Sequence, residues 1–224
     1  MAGRAEQDRI LAEAAKEVLL PLGLMRKGKS RTYLSDEGIW SCVVEFQPSG
    51  FSKGSSLNVA AHWLWTTNEH ISFDFSFGFA GRVGHDFIQF RTPEQFAEDS
   101  RRLSRQAVEP VRKLRSTFRS IHDIARVLVE VERENARSGR GGCWGAFNGA
   151  VACGLAGDAA TARALFLSVA NGDVSSDWKL VRRADALRLA ELTGDTGRFR
   201  EAIMTRVAAT RARLRMPGQA SPAF

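Results

Sequence analysis

The sequence predicts an α+β fold in which an N-terminal helix packs on an antiparallel sheet and an all-helical part follows. Between Trp40 and Phe79, three segments alternate apolar and polar residues with the period of two that a half-buried strand requires. Before them, over residues 5–20, and after them, from residue 92 onward, apolar residues recur at the three-to-four spacing of amphipathic helices.

In the first helix, Ile10, Ala14 and Val18 lie beside Leu11, Ala15 and Leu19, and Pro21 and Gly23 stop it. Residues 22–30 form a basic loop into a short strand near Thr32, and Asp36-Glu37-Gly38 turns the chain back. Three strands then share one core face: Trp40, Cys42, Val44 and Phe46; Leu57, Val59, Ala61, Trp63 and Trp65; and Ile71, Phe73, Phe75, Phe77 and Phe79, which reads as a core strand. The Gly- and Ser-rich loop 48–56 carries one conspicuous aromatic, Phe51.

After an edge segment near Phe87 to Phe90, Thr92-Pro93-Glu94-Gln95 supplies an N-cap, a proline at N1 and a capping partner at N3. One long helix follows to Phe118, bent by Pro110, and Ser120 with Asp123 caps the next. The expected organisation is a helix-plus-sheet domain over 1–91, bridging helices over 92–137, a Gly-rich linker at 138–142, helical hairpins over 143–216 and a tail at 217–224.

Within the hairpin region Leu155-Ala156-Gly157-Asp158 is echoed by Leu192-Thr193-Gly194-Asp195, 37 residues on. This weakly resembles a tetratricopeptide repeat pair; two ordinary hairpins packed as a small bundle are the favoured reading. The run Leu22-Gly23-Leu24-Met25-Arg26-Lys27-Gly28, then Trp40, Val43-Val44, Phe46-Gln47, Ser49 and Leu57-Asn58-Val59, resembles the bacterial family called domain of unknown function 4304 over about residues 10–90. Leu24 stands where that family's pattern has Phe, and its strand wording differs at Leu57-Asn58-Val59. The resemblance implies the helix-plus-sheet domain and no activity or substrate.

The net charge of +7 is uneven: the first hundred residues hold ten Lys or Arg against thirteen Asp or Glu, so the excess of cations lies beyond residue 100. Residues 1–9 are small, polar and charged, unlike a signal peptide, and no apolar run approaches the ~20 residues of a bilayer span, so a cytoplasmic, non-membrane protein is expected. Cys42, Cys143 and Cys153 have no zinc-site spacing, and no metal or cofactor is expected.

Gly23 to Ser30 satisfies the phosphate-loop wording G-x-x-x-x-G-K-[ST], which would give Lys29 a phosphate contact. That chemistry needs a strand before the loop and a helix after it. Here a helix precedes and a strand-like segment follows, so nucleotide binding is not favoured. On the polar sheet face, Glu45, His62 and Asp74 are candidates for acid–base work, with Glu45 and His62 as a pair; a solvated outer face is the ordinary alternative.

At ~100° per residue, Arg101, Arg105, Arg112, Arg115 and Arg119 fall in one stripe away from the apolar face, with Arg126, Arg133 and Arg137 following. With Phe51 and Trp65 they are the candidate partner-binding residues. The expected role is a non-catalytic protein-interaction module meeting an acidic protein; nucleic-acid binding through the basic half is the alternative, and an enzyme the third reading.

Overall fold

In the computed structural model, residues 4–78, 81–139, 142–173 and 175–216 are described, without the side chains of His85 and Asp86. The chain forms an α+β structure divided into two compact units, one reaching Ser116 and one spanning Thr117–Arg215.

The first unit opens with α1, Arg4–Leu19, which buries Ile10, Leu11, Ala14, Ala15 and Leu19. A single 3-10 turn, Leu20–Leu22, ends on Gly23 at φ +73°, a left-handed position that favours glycine. The sheet is a five-stranded antiparallel meander in the order β1-β2-β3-β4-β5. Its strands are β1 (Met25–Arg26), β2 (Thr32–Asp36), β3 (Trp40–Pro48), β4 (Gly54–Trp63) and β5 (Arg82–Gln89). β3 and β4 pair from Trp40↔Trp63 to Pro48↔Ser55, which stacks Cys42 beside Ala61, Val44 beside Val59 and Phe46 beside Leu57. These six stacked side chains are buried, as are Trp40 and Trp63.

The aromatic segment expected as a third core strand is not one. Residues 71–78 join the sheet ladder at only one β-bridge, Phe75 to Ala61, among the described residues. The alternation breaks down: residues 71–76 are all half-buried, the Asp74 side chain is fully buried against β4, and Phe77 is 45% exposed. Asp74 faces inward because its carboxylate accepts from the Trp63 N–H at 2.7 Å and lies against His62. A carboxylate so satisfied can occupy a buried position that an apolar residue would otherwise take. Phe79 lies outside the described residues. The sheet face assigned to solvent is closed: Ser41 and His62 are fully buried and Asn58 is 3% exposed, with Ser72 and Asp74 lying against His62.

Thr92 opens α2 (Pro93–Arg105) with the expected capping box. The long helix is interrupted: α3 starts anew at Val108–Thr117, and the break falls at Gln106–Ala107 instead of at Pro110. The reason is steric, since the proline ring excludes the carbonyl four residues earlier, that of Gln106, while in the first turn of α3 its missing N–H costs nothing.

The second unit holds α4 (Ile121–Arg137), α5 (Cys143–Leu155), α6 (Ala159–Ala170), α7 (Asp177–Leu192) and α8 (Thr196–Leu214). α5/α6 and α7/α8 are hairpins that turn on the two Gly-Asp pairs, with Asp158 and Asp195 capping the second helix of each. Phe147, Phe166 and Phe199 form a chain of ring contacts, with centroids 5.6 and 6.2 Å apart. Gly154 lets α8 approach α5, because a methyl group there would sit 2.4 Å from Phe199 Cε1. Arg182 of α7 is 7% exposed, with its guanidinium 4.4 Å from the Trp144 ring and 4.3 Å from that of Phe147. Residues 138–142 join α4 to α5 inside this unit, with Arg140 and Gly141 outside the described residues, as is the tail 217–224.

Candidate partner-binding surface

The acid–base candidates separate. In the β3–β4 ladder Glu45 stands opposite Asn58 and His62 opposite Ser41, so Glu45 and His62 are four residues apart along the ladder, about 13 Å, and form no pair. Glu45 instead accepts from the Asn58 amide at 3.2 Å. His62 meets Asp74: Nδ1 lies 3.1 Å from Asp74 Oδ2 and 3.0 Å from Ser72 Oγ. A carboxylate only accepts, so the Asp74 contact is a hydrogen bond in the tautomer that carries its proton on Nδ1, while the Ser72 N–H, 3.4 Å away, faces the same nitrogen. In a nucleophilic relay the carboxylate and the hydroxyl occupy opposite ring nitrogens. Here both converge on Nδ1, and Nε2 is buried without a hydrogen bond among the described residues. The His62 and Asp74 side chains are both fully buried, so the pair pins residues 71–78 to β4 and presents nothing to a substrate.

Lys29 sits in the turn of a hairpin. β1 precedes it and β2 follows, with Lys27 N–H donating to Thr32 O at 2.9 Å and Ser30 Oγ to Lys27 O at 2.7 Å. Arg26 closes the turn from inside, giving Nε to Ser30 O and Nη2 to Lys29 O. The loop is therefore folded on its own carbonyls, and no helix N-terminus follows it.

Trp65 is not a surface residue. The chain turns immediately after β4, with Leu64 N–H donating to Ile39 O, and the Trp65 ring stacks on Trp63 at 5.0 Å and 4° with no exposure. Phe51 is the opposite case. Ser49 Oγ accepts from the N–H groups of Phe51 and Ser52, so a short ordered turn presents a fully exposed ring at the β3–β4 tip.

The arginine stripe is distributed over separate elements. Arg101 reaches Glu17 at 3.7 Å, and Arg115 grips Glu37 through Nε at 2.8 Å and Nη2 at 2.7 Å. Arg119 belongs to the second unit, where it meets Asp123 at 3.4 Å. Arg105 and Arg112 are exposed and make no ion pair or hydrogen bond among the described residues. Beside them on α3, Lys113 lies 4.2 Å from the centroid of Phe77.

Burial pushes the Cys42 thiol up to about 12, with Arg115 partly opposing and Glu37 adding to the effect. Burial likewise pushes Cys153 up to about 11. Neither thiol is poised as a thiolate nucleophile at neutral pH. Among the described residues no group of three or more His, Cys, Asp or Glu side chains is placed to hold a metal ion, and no helix is long and apolar enough to cross a membrane.

One concavity of the first unit escaped sequence reasoning. α1 and the β1–β2 hairpin enclose a groove of about 810 Å³ with Ala12, Leu20, Leu24 and Tyr33 among its walls. Its residues come from α1 and from the β1–β2 hairpin and meet only through packing; the visible trace is the pair Ala5 and Ala12, seven residues apart on α1. No protein-family model, curated protein or solved structure matches the chain. The resemblance to domain of unknown function 4304 rests on its quoted residues alone.

Proposed function

We propose that the chain is a non-catalytic cytoplasmic interaction module that meets an acidic protein through the α2–α3 face. The observation that supports this reading is the contrast between Arg105 with Arg112, exposed and uncompensated, and the sheet's His–Asp pair, sealed from solvent. Arg101 contributes at the edge of the same face, since a 3.7 Å contact between half-exposed side chains is weak and easily exchanged. Phe51 is a second anchor of the kind that interfaces favour, a rigid aromatic offered on an ordered turn.

The test is affinity capture from a nuclease-treated lysate with the wild type and with Arg105→Glu/Arg112→Glu. A protein of acidic character retained by the former and lost by the latter, with unchanged thermal unfolding, supports the reading. Duplex or single-strand binding whose log affinity falls with log salt by about 0.9 per neutralised duplex phosphate, and which Arg105→Ala/Arg112→Ala abolishes, overturns it in favour of nucleic acid.

A further inference from the structure

The groove between α1 and the β1–β2 hairpin has an apolar wall, a charged rim and an open strand edge, all within the first unit. Its acidic lining residues are already neutralised: Asp8 accepts from Arg31 at 2.5 Å and Glu13 from Arg9 at 2.9 Å. Its cations other than Arg9 are not. Lys16 and Lys29 are exposed with no carboxylate partner among the described residues, and Arg26 bonds only carbonyls. The groove therefore carries an uncompensated positive rim above apolar side chains.

Two further features describe the occupant. The groove follows α1 from Ala5 to Leu20, about 22 Å at 1.5 Å per residue, which is the length of about six or seven extended residues. Along its other side, the bond from Lys27 N–H to Thr32 O places the Lys27/Thr32 and Met25/Leu34 pairs in the bonded register. Arg26 is then the unbonded position, and its N–H and C=O point away from β2 into the open edge. The Tyr33 hydroxyl, on a residue 3% exposed, has only a 3.5 Å contact to Ala12 O, longer than an ordinary O–H···O bond.

We infer that this groove binds an extended acidic peptide segment of another protein, its apolar side chains against Ala12, Leu20 and Met25 and its carboxylates at Lys16, Lys29 and Arg26. Arg26 offers the segment one backbone donor and one acceptor, which seats it alongside β1 as an added strand. The site is separate from the α2–α3 face and does not depend on it.

The probe is a fluorescein-labelled peptide of about seven alternating Leu and Glu residues, a length matched to the groove, titrated into the full-length protein by polarisation. A Leu/Lys peptide of equal length and decanoate serve as comparisons. Saturable binding of the Leu/Glu peptide, at least about tenfold tighter than the Leu/Lys peptide, is expected. Ala12→Trp, which fills the groove, and Lys16→Glu/Lys29→Glu, which reverses its rim, should each weaken it about tenfold or more; Arg105→Glu/Arg112→Glu should leave it unchanged. If Ala12→Trp fails to fold, the exposed lysine pair carries the same reading. Absence of saturable binding, equal binding of the Leu/Lys peptide, or indifference to the groove variants overturns the inference. Groove-dependent binding of decanoate without the peptide overturns it in favour of a small amphiphile.

Discussion

Arg115 closes a two-pronged ion pair with Glu37, 78 residues away in sequence, at 2.8 and 2.7 Å. It ties α3 to the turn between β2 and β3, where Gly38 N–H donates to Asp36 Oδ1 and Glu37 N–H to Trp40 O. Both side chains are largely but not fully buried, so the pair is worth about 1 kcal/mol, toward the upper end for partly exposed pairs. Arg115→Ala should lower unfolding free energy by about that amount, while Arg112→Ala stays within about 0.5 kcal/mol of wild type. Urea titrations of both variants check this; equal effects would remove the structural role assigned to Arg115.

Asp74 holds residues 71–78 in place. Asp74→Ala strips the partner from His62 Nδ1 and the acceptor from the Trp63 N–H inside the sheet, and should cost about 2–4 kcal/mol. Asp74→Asn keeps an acceptor and should cost less. Denaturation curves give the energies. Hydrogen exchange should show the loss concentrated at the Ala61 amide, which donates to Phe75 O at 2.8 Å.

The acid limb of stability should carry a signature from the α6–α7 connection. Lys179 Nζ donates to Asp173, as does the Ser175 hydroxyl, and these bonds hold the Asp173 carboxyl down at about 2, against an ordinary 3.8. The folded value lies below the unfolded one, so the contribution is complete above about pH 4 and is lost as pH falls toward 2. A carbon-13 titration of the Asp173 carboxyl should show the low midpoint, and Lys179→Ala should return it toward the ordinary value. A midpoint near 3.8 in the wild type would refute the assignment.

Gly154→Ala tests the packing of α8 on α5. The added methyl meets the Phe199 ring far inside contact distance, and overpacking of this kind costs about 1–3 kcal/mol. Phe199→Leu alone leaves a void, but combined with Gly154→Ala it should recover part of the loss. A double-mutant cycle by thermal unfolding measures the coupling, and strict additivity would show that the two positions do not share the space.

The fold class was legible because β3 and β4 obey the simple rule that apolar residues alternate inward. The register, with Trp40 opposite Trp63 and Phe46 opposite Leu57, was not legible, because a period of two fits several offsets equally well. Residues 71–78 defeated the same rule, since alternation assumes that polar side chains face water and Asp74 instead finds its partners on β4. Pro110 announced a disruption, but a proline acts on the carbonyl four residues behind it, so the break appeared at Gln106–Ala107. Of the surface candidates, exposure was readable for Phe51 on its loop and for Arg105 and Arg112 opposite an apolar face. Trp65 and Arg115 were misplaced because their partners, Trp63 and Glu37, are brought near by turns that periodicity does not encode.

The meander order of the sheet bears on how the protein is made. Each strand's lateral neighbour is the one synthesised just before it, so pairing can advance in step with emergence from the ribosome, with short loops to close at every stage until β5. The Trp40–Trp63 hairpin supplies the longest ladder and the largest rings, and it is available before half the chain exists. Residues 71–78 come later and reach back to a β4 already paired with β3. Their docking withdraws the polar side of a half-finished sheet from solvent, and a nascent chain stalled before Asp74 should remain the species most exposed to chaperones and proteases.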